Sequence, residues 1–265
     1  MTPPIEKPAI ETPAIETPAI ETVDLTKSFG AFTTTDHVNF RLEPGARHAL
    51  IGPNGAGKTT FVNLVSGALA PSSGVIRMLG DDITTLPQPR RVKRGLVRTF
   101  QINQLFRRLT VLENVTLAIA EREGVADNIW RPSGQHRAVI DEAYGLLDDV
   151  DLGAEAMRPV TDLAYGRQRM LEIAVALAMK PKVLLLDEPA AGVPTGDVGR
   201  IIETIDRLPQ DIAILLIEHD MEIVFRFARR ITVLVEGRIL IEGAPDVIAD
   251  DPVVRKVYLG ERGHT

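Results

Sequence analysis

Apolar and polar residues alternate through Val38, Phe40 and Leu42, a period of two that puts every second side chain on one face and predicts a strand. Similar short runs at 48–51 and 75–79, set apart by Gly and Pro, make the stretch from residue 23 to about 79 read mainly as strands and turns. One helix interrupts it after a glycine-rich turn at 52–57, where Phe61, Leu64 and Val65 recur at helical spacing and Gly67 supplies the stop. Between Leu105 and Asp162 the pattern turns helical, with Val139, Ile140, Ala143, Leu146, Leu147 and Val150 on one face, which predicts a helical insertion. A helical run over 167–179 then leads into strand 183–186, a helix, strand 212–217, another helix and strand 231–235. A last helix is predicted from Pro245 and Asp246 to Leu259, interrupted at Pro252. Helices alternating with strands imply an α/β fold around a mainly parallel sheet.

The N-terminus breaks this pattern. Pro-Ala-Ile-Glu-Thr occurs three times unchanged over residues 8–22, a period that matches no solenoid repeat, and the recurring Pro disfavours helix. Residues 1–22 are expected as an extended or disordered tail, with a docking arm for a partner as the alternative. The most apolar stretches, 212–217 and 183–186, fall far short of the about 20 residues a membrane-spanning helix needs. The basic and then apolar order of a secretory signal is absent at the N-terminus. Thirty basic residues against thirty-six acidic ones give a net charge of −6 over 265 residues, which offers nucleic acid no overall attraction. There is no cysteine, which excludes disulfides, thiolate metal sites and a cysteine nucleophile and points to the cytosol.

Candidate chemistry begins at Gly52-Pro53-Asn54-Gly55-Ala56-Gly57-Lys58-Thr59, which has the Walker A spacing and is followed by Thr60. Glycines there let backbone N–H groups approach a triphosphate closely, and the N-terminus of the helix behind them favours an anion. Lys58 reaches the β and γ phosphates and the Thr59 hydroxyl can ligate Mg²⁺. The apolar run 183–186 ends in Asp187 and Glu188, at the carboxyl end of a strand, where ligands collect in open α/β sheets. Asp187 would hold Mg²⁺, directly or through water, and Glu188 could polarise the attacking water, although either acid alone could be a helix cap. His219 follows strand 212–217 and could contact the γ-phosphate or simply cap a helix at the surface.

With these pieces, the chain resembles the ATP-binding subunits of ABC transporters from Val23 to Glu261. In order come Walker A, Gln101 within Arg98-Thr99-Phe100-Gln101 as the Q-loop glutamine, the helical insertion, Leu163-Ala164-Tyr165-Gly166-Arg167-Gln168 at the signature position, Walker B with Glu188, and His219 as the switch histidine. The resemblance implies a P-loop NTPase: a RecA-like mainly parallel sheet, an N-terminal antiparallel β subdomain and an inserted helical subdomain at about 105–165, in one domain over 23–260 with a short tail at 261–265. It implies ATP and Mg²⁺ as cofactors, with Thr59, Gln101 and Asp187 on the metal, and Phe29, or as second choice Phe32, stacked on adenine unless it is core. Implied partners are integral membrane permease subunits, a second ATPase chain whose signature segment completes each ATP site, and indirectly a solute-binding protein. No nucleic acid is implied. The implied place is the cytoplasmic face of the bacterial inner membrane, bound peripherally.

The signature departs from Leu-Ser-Gly-Gly-Gln at Ala164, Tyr165 and Arg167, and Pro194 stands where many relatives place Asp. Together with Asp-Glu-Pro-Ala-Ala-Gly, Ile-Glu-His-Asp and Val257-Tyr258-Leu259-Gly260-Glu261, these departures resemble the branch that imports branched-chain amino acids. Urea or amide importers, lipopolysaccharide-type exporters and soluble ATPases of the same family are the alternatives. Two features stay outside this scheme. The basic segment Arg90, Arg91, Lys93, Arg94 and Arg98, with Arg107 and Arg108, reads as a solvated face or as a contact for acidic coupling helices or anionic lipid. Trp130 reads as a packing anchor.

Overall fold

The apolar runs ending at Asp187 and Ile217 become neighbouring central strands of a sheet covered on both faces. The computed structural model describes residues 17–99, 105–125 and 134–259. Its elements are β1 (Ile20–Phe29), β2 (Phe32–Leu42), β3 (Arg47–Ile51), α1 (Lys58–Ser66), β4 (Ser73–Met78), β5 (Asp81–Asp82), α2 (Gln88–Lys93), β6 (Leu96–Arg98), α3 (Val111–Arg122) and α4 (Gly134–Asp149). They continue with α5 (Tyr165–Ala178), β7 (Val183–Asp187), α6 (Thr195–Asp206), β8 (Ala213–Ile217), α7 (Met221–Phe227), β9 (Arg230–Val235), β10 (Arg238–Gly243), α8 (Pro245–Asp250) and α9 (Pro252–Leu259).

The main sheet has strand order β10-β9-β3-β8-β7-β6 and is parallel except for β10, which runs antiparallel to β9. Both faces of its centre are dry, which is why these strands carry no polar alternation. Leu184 and Leu186 of β7 join Ile214 and Leu216 of β8 in a core with Val115, Ile119, Leu147 and Leu171 of the helical layer. Val183 and Leu185 point the other way, with Leu215 and Ile217, onto Phe61, Leu64 and Val65 of α1. A smaller antiparallel sheet, β2-β1-β4-β5, closes over that second face. Helices α3 and α4 fall within residues 105–165 and α5 follows them, and α3 opens with a capping box in which Thr110 and Glu113 each bond the other's backbone. Among the described residues, no helix is long and apolar enough to cross a membrane.

Three expectations need correction. The tail does not extend to Thr22, because β1 begins at Ile20, which is buried and paired with both Leu42 and Met78. The last Ile-Glu-Thr of the repeat is thus strand: Thr22 Oγ1 donates to the Val38 carbonyl, and Glu21 pairs with Arg41 and Arg77. Helix α5 starts at Tyr165, which puts Tyr165 and Gly166 in its first turn. Nor is the basic segment one solvated face. Arg90, Lys93 and Arg94 are exposed, but Arg91 is fully buried and donates to the carbonyls of Leu64, Val65, Thr84 and Leu86 at 2.7–2.9 Å. Its guanidinium caps the end of α1 through the Leu64 and Val65 carbonyls, while burial pushes its pKa down to about 10.

His48 lies in β3, buried against Phe40, with Nε2 2.8 Å from Thr232 Oγ1, which in turn donates to Glu242 at 2.6 Å. Its pKa is pushed down to about 4 from 6.5, chiefly by burial, with Glu242 opposing the shift and Arg230 adding to it. A histidine neutral when folded and protonated when unfolded loses stability as pH falls through 6.5, and the loss is complete near 4. This residue therefore contributes an acid limb of up to about 3 kcal/mol to stability between those pH values. His48→Gln flattens that limb in urea midpoints measured against pH. An identical limb in the variant assigns the effect to another group.

Candidate functional site

The loop between β3 and α1 is held close to two other backbones. At Gly52 an added Cβ would lie 2.2 Å from the Leu234 carbonyl oxygen, and at Gly57, where φ is 101°, it would lie 2.4 Å from that of Thr34. Only glycine fits at either place. Asn54 and Gly55 form an exposed tip, with Pro53 partly covered and Ala56 buried. The loop is braced by the turn between β9 and β10, where the Gly237 N–H donates to the Ala56 carbonyl at 2.8 Å. Helix α1 begins at Lys58 with no side-chain cap and no acid in its first turn, leaving its N–H groups open to an anion.

The Lys58 ammonium donates to the carbonyls of Gly52 at 2.6 Å and Pro53 at 3.0 Å, and so arches over its own loop. Burial lowers its pKa, while Glu188 and Asp187 pull it back up, so both carboxylates act on this ammonium. Thr59 is exposed beside it and Thr60 partly so. The Thr34 carbonyl pressed on Gly57 belongs to β2, and the Phe29–Phe32 hairpin pair is the turn that leads into it. Phe29 and Phe32 are 52% and 68% exposed, so neither is core, and Lys27 lies 5.1 Å from the Phe29 ring centre.

Asp187 ends β7 and is almost wholly buried, with Oδ2 2.5 Å from Arg98 Nη2. Glu188 follows with φ 48°, a left-handed backbone rare outside glycine, fixed by its N–H on the Ile217 carbonyl at 2.9 Å. That bond ties the loop after β7 to the end of β8. From there His219 extends toward solvent and brings Nδ1 to 3.8 Å from Glu188 Oε1. Between them sits Glu218, buried, accepting from the Ala190 and His219 N–H groups at 3.2 Å each, its pKa raised chiefly by burial.

The segment 163–168 is fixed locally. Ala164 stands as N-cap without a side-chain bond, the Tyr165 hydroxyl accepts from Arg169 at 2.6 Å, and Gln168 Nε2 donates to the Leu163 carbonyl at 2.9 Å. Arg167 pairs with Glu155 at 2.8 Å and also donates to the Asp151 carbonyl. Gly166 packs on Asp197 and the Tyr165 ring on Gly192, so the segment rests on the loop after β7. Pro194 is the N-cap of α6. Gln101 and Trp130 lie outside the described residues.

Sequence reasoning missed Arg98, Asn63 and Glu218. Glu218 carried a usable signal, since it ends an apolar strand just as Asp187 does. Arg98 offered none, being hidden in a basic run. The glycine cradle, the uncapped helix, Lys58 and the carboxylates at two adjacent strand ends suit a polyphosphate carrying a divalent cation. Among the described residues no group of three or more His, Cys, Asp or Glu could cage a metal, so an ion at Asp187 would take its other ligands from phosphate, water and Thr59.

Known proteins resemble this chain in sequence and in fold. A family profile described as ABC transporter matches residues 35–191. The high-affinity branched-chain amino acid transport ATP-binding protein BraF of Pseudomonas aeruginosa is 39% identical, covering 89% of this chain and 96% of that protein. LivG of Escherichia coli K12, named for the same transport, is 38% identical over 89% of this chain and 96% of its own length. A crystal structure of the ADP conformation of an ATP-binding cassette of an ABC transporter superposes with a TM-score of 0.80 at 30% identity, over 92% of this chain and 99% of that one.

Proposed function

This chain belongs to the ABC transporter family, and from that premise we propose that it is the ATPase subunit of an importer for branched-chain amino acids, paired with a second ATPase chain and seated on integral membrane permease subunits. As an ABC ATPase it binds and hydrolyses ATP. The observation that carries the site assignment is the Lys58 ammonium, poised by the Gly52 and Pro53 carbonyls at the uncapped start of α1 and influenced by both carboxylates.

In this reading residues 52–60 wrap the phosphates, Lys58 leaves its two carbonyls for β and γ oxygens, and Phe29 lies under the adenine. Thr59 and Asp187, with Gln101, would hold Mg²⁺, which when bound would neutralise charge on the phosphate oxygens. Glu188 accepts a proton from the attacking water, and His219, within reach of Glu188, supports the charge that develops on the γ-phosphate. The Leu163 to Gln168 segment serves the ATP of the partner chain: the Gly166 N–H and the start of α5 offer an anion site that does not need the serine hydroxyl absent at Ala164. A peripheral position at the cytoplasmic face of the membrane follows from the permease.

The function is tested by purifying the tagged chain from detergent-solubilised membranes. Two distinct integral proteins and a second cassette are expected with it, and ATP turnover in proteoliposomes rises severalfold when a leucine-loaded binding protein is added. Recovery of ribosomal proteins instead, with turnover indifferent to membranes, overturns the importer reading.

A further inference from the structure

We propose that Arg98 is the counter-charge of Asp187 and competes with the divalent cation for that carboxylate, so that it sets how tightly the nucleotide-loaded site holds Mg²⁺. The proposal rests on the reading of Asp187 as the metal-side carboxylate.

Arg98 is the last residue of β6, the edge strand next to β7. Its side chain is 10% exposed and that of Asp187 is 3%, so the pair is withdrawn from water, where an unpaired carboxylate would be costly. Nη2 donates to Asp187 Oδ2 at 2.5 Å and Nη1 to Asn63 Oδ1 at 2.6 Å. Asn63 is on α1, four residues after Thr59 and so on the same helix face. The guanidinium thus spans from the end of β7 to the helix that opens with Lys58. Among the described residues its Nε is buried without a partner.

The guanidinium and a divalent cation are like charges that both seek Asp187. Each weakens the hold of the other, and the full attraction of the carboxylate for the metal is felt only when Arg98 is neutralised. A mere brace behaves differently: its loss loosens the loop and weakens nucleotide and metal binding together.

The test uses the full chain and the fluorescent nucleotide mant-ATP, first in EDTA and then with rising Mg²⁺. In Arg98→Gln, which keeps hydrogen-bond donors but no charge, affinity in EDTA is expected to stay within about twofold, while the Mg²⁺ half-point falls about tenfold, an ordinary size for coupling between two sites. Arg98→Met gives the same shift and serves should the Gln variant fail to fold. Arg98→Lys, which restores the charge, returns the half-point toward that of the native chain. In an Asp187→Asn background the Arg98 effect vanishes. An unchanged or raised half-point in the neutral variants, or a tightening that persists without Asp187, overturns the proposal. A native Mg²⁺ titration in Asp187→Asn alone overturns the reading of Asp187 as well.

Discussion

Replacing Glu188 with glutamine lowers ATP turnover by about 10²–10⁴-fold, the usual contribution of a positioned general base, and leaves nucleotide affinity nearly unchanged. Glutamine is the informative substitution because it preserves shape. Glu188 sits at φ 48° with its N–H on Ile217, and glutamine adopts that backbone at no greater cost than glutamate, so the loop stays in place. What disappears is the capacity to take a proton. Loss of the negative charge also removes one of the two carboxylates acting on Lys58, which changes phosphate binding little because Asp187 remains. Phosphate release followed with and without Mg²⁺, beside mant-ATP binding, separates the two effects. With Mg²⁺-ATP the variant is expected to accumulate as a dimer, seen as a doubled mass in sedimentation. Phosphate release at the native rate refutes the assignment of Glu188 as base.

What the sequence could disclose follows from how local each feature is. The Walker A loop was legible because its geometry is made by eight consecutive residues, and the two glycines that meet Leu234 and Thr34 are among those the pattern demands. Asp187 and Glu188 were legible because the end of an apolar strand is itself a position in an α/β sheet. Arg98 was not, since its partner is 89 residues away and the contact exists only because β6 takes the place beside β7. No periodicity encodes strand order. The same holds for Arg91, whose burial depends on the end of α1 arriving over α2, and for Ile20, a residue of a proline-spaced repeat that becomes strand only where β2 and β4 flank it. Glu218 is legible by the same rule as Asp187, since it too follows an apolar run at the carboxyl end of a strand. Its two backbone bonds link the loop after Glu188 to His219, which joins the two catalytic candidates through a carboxylate withdrawn from solvent.

Lys58→Ala is expected to weaken ATP binding by about 10²-fold or more, the scale of losing a charge-assisted contact in a partly desolvated site. The ammonium is already committed within the fold, bonded to Gly52 and Pro53 across its own loop. Its transfer to phosphate exchanges two neutral acceptors for charged ones, a gain that alanine forgoes entirely. The substitution should cost the fold little: the loop is braced by Gly237 on Ala56 and by the packing of Phe61, Leu64 and Val65, none of which involves Lys58. Lys58→Arg is expected to fail almost as badly, because a planar guanidinium is larger than the ammonium that fits beneath the Gly52 carbonyl. Calorimetric titration with ATP, beside thermal unfolding of the same samples, reads both quantities. Undiminished nucleotide uptake by a folded Lys58→Ala protein would remove the basis for placing the triphosphate at this loop, and with it the roles given to Asp187, Glu188 and Arg98.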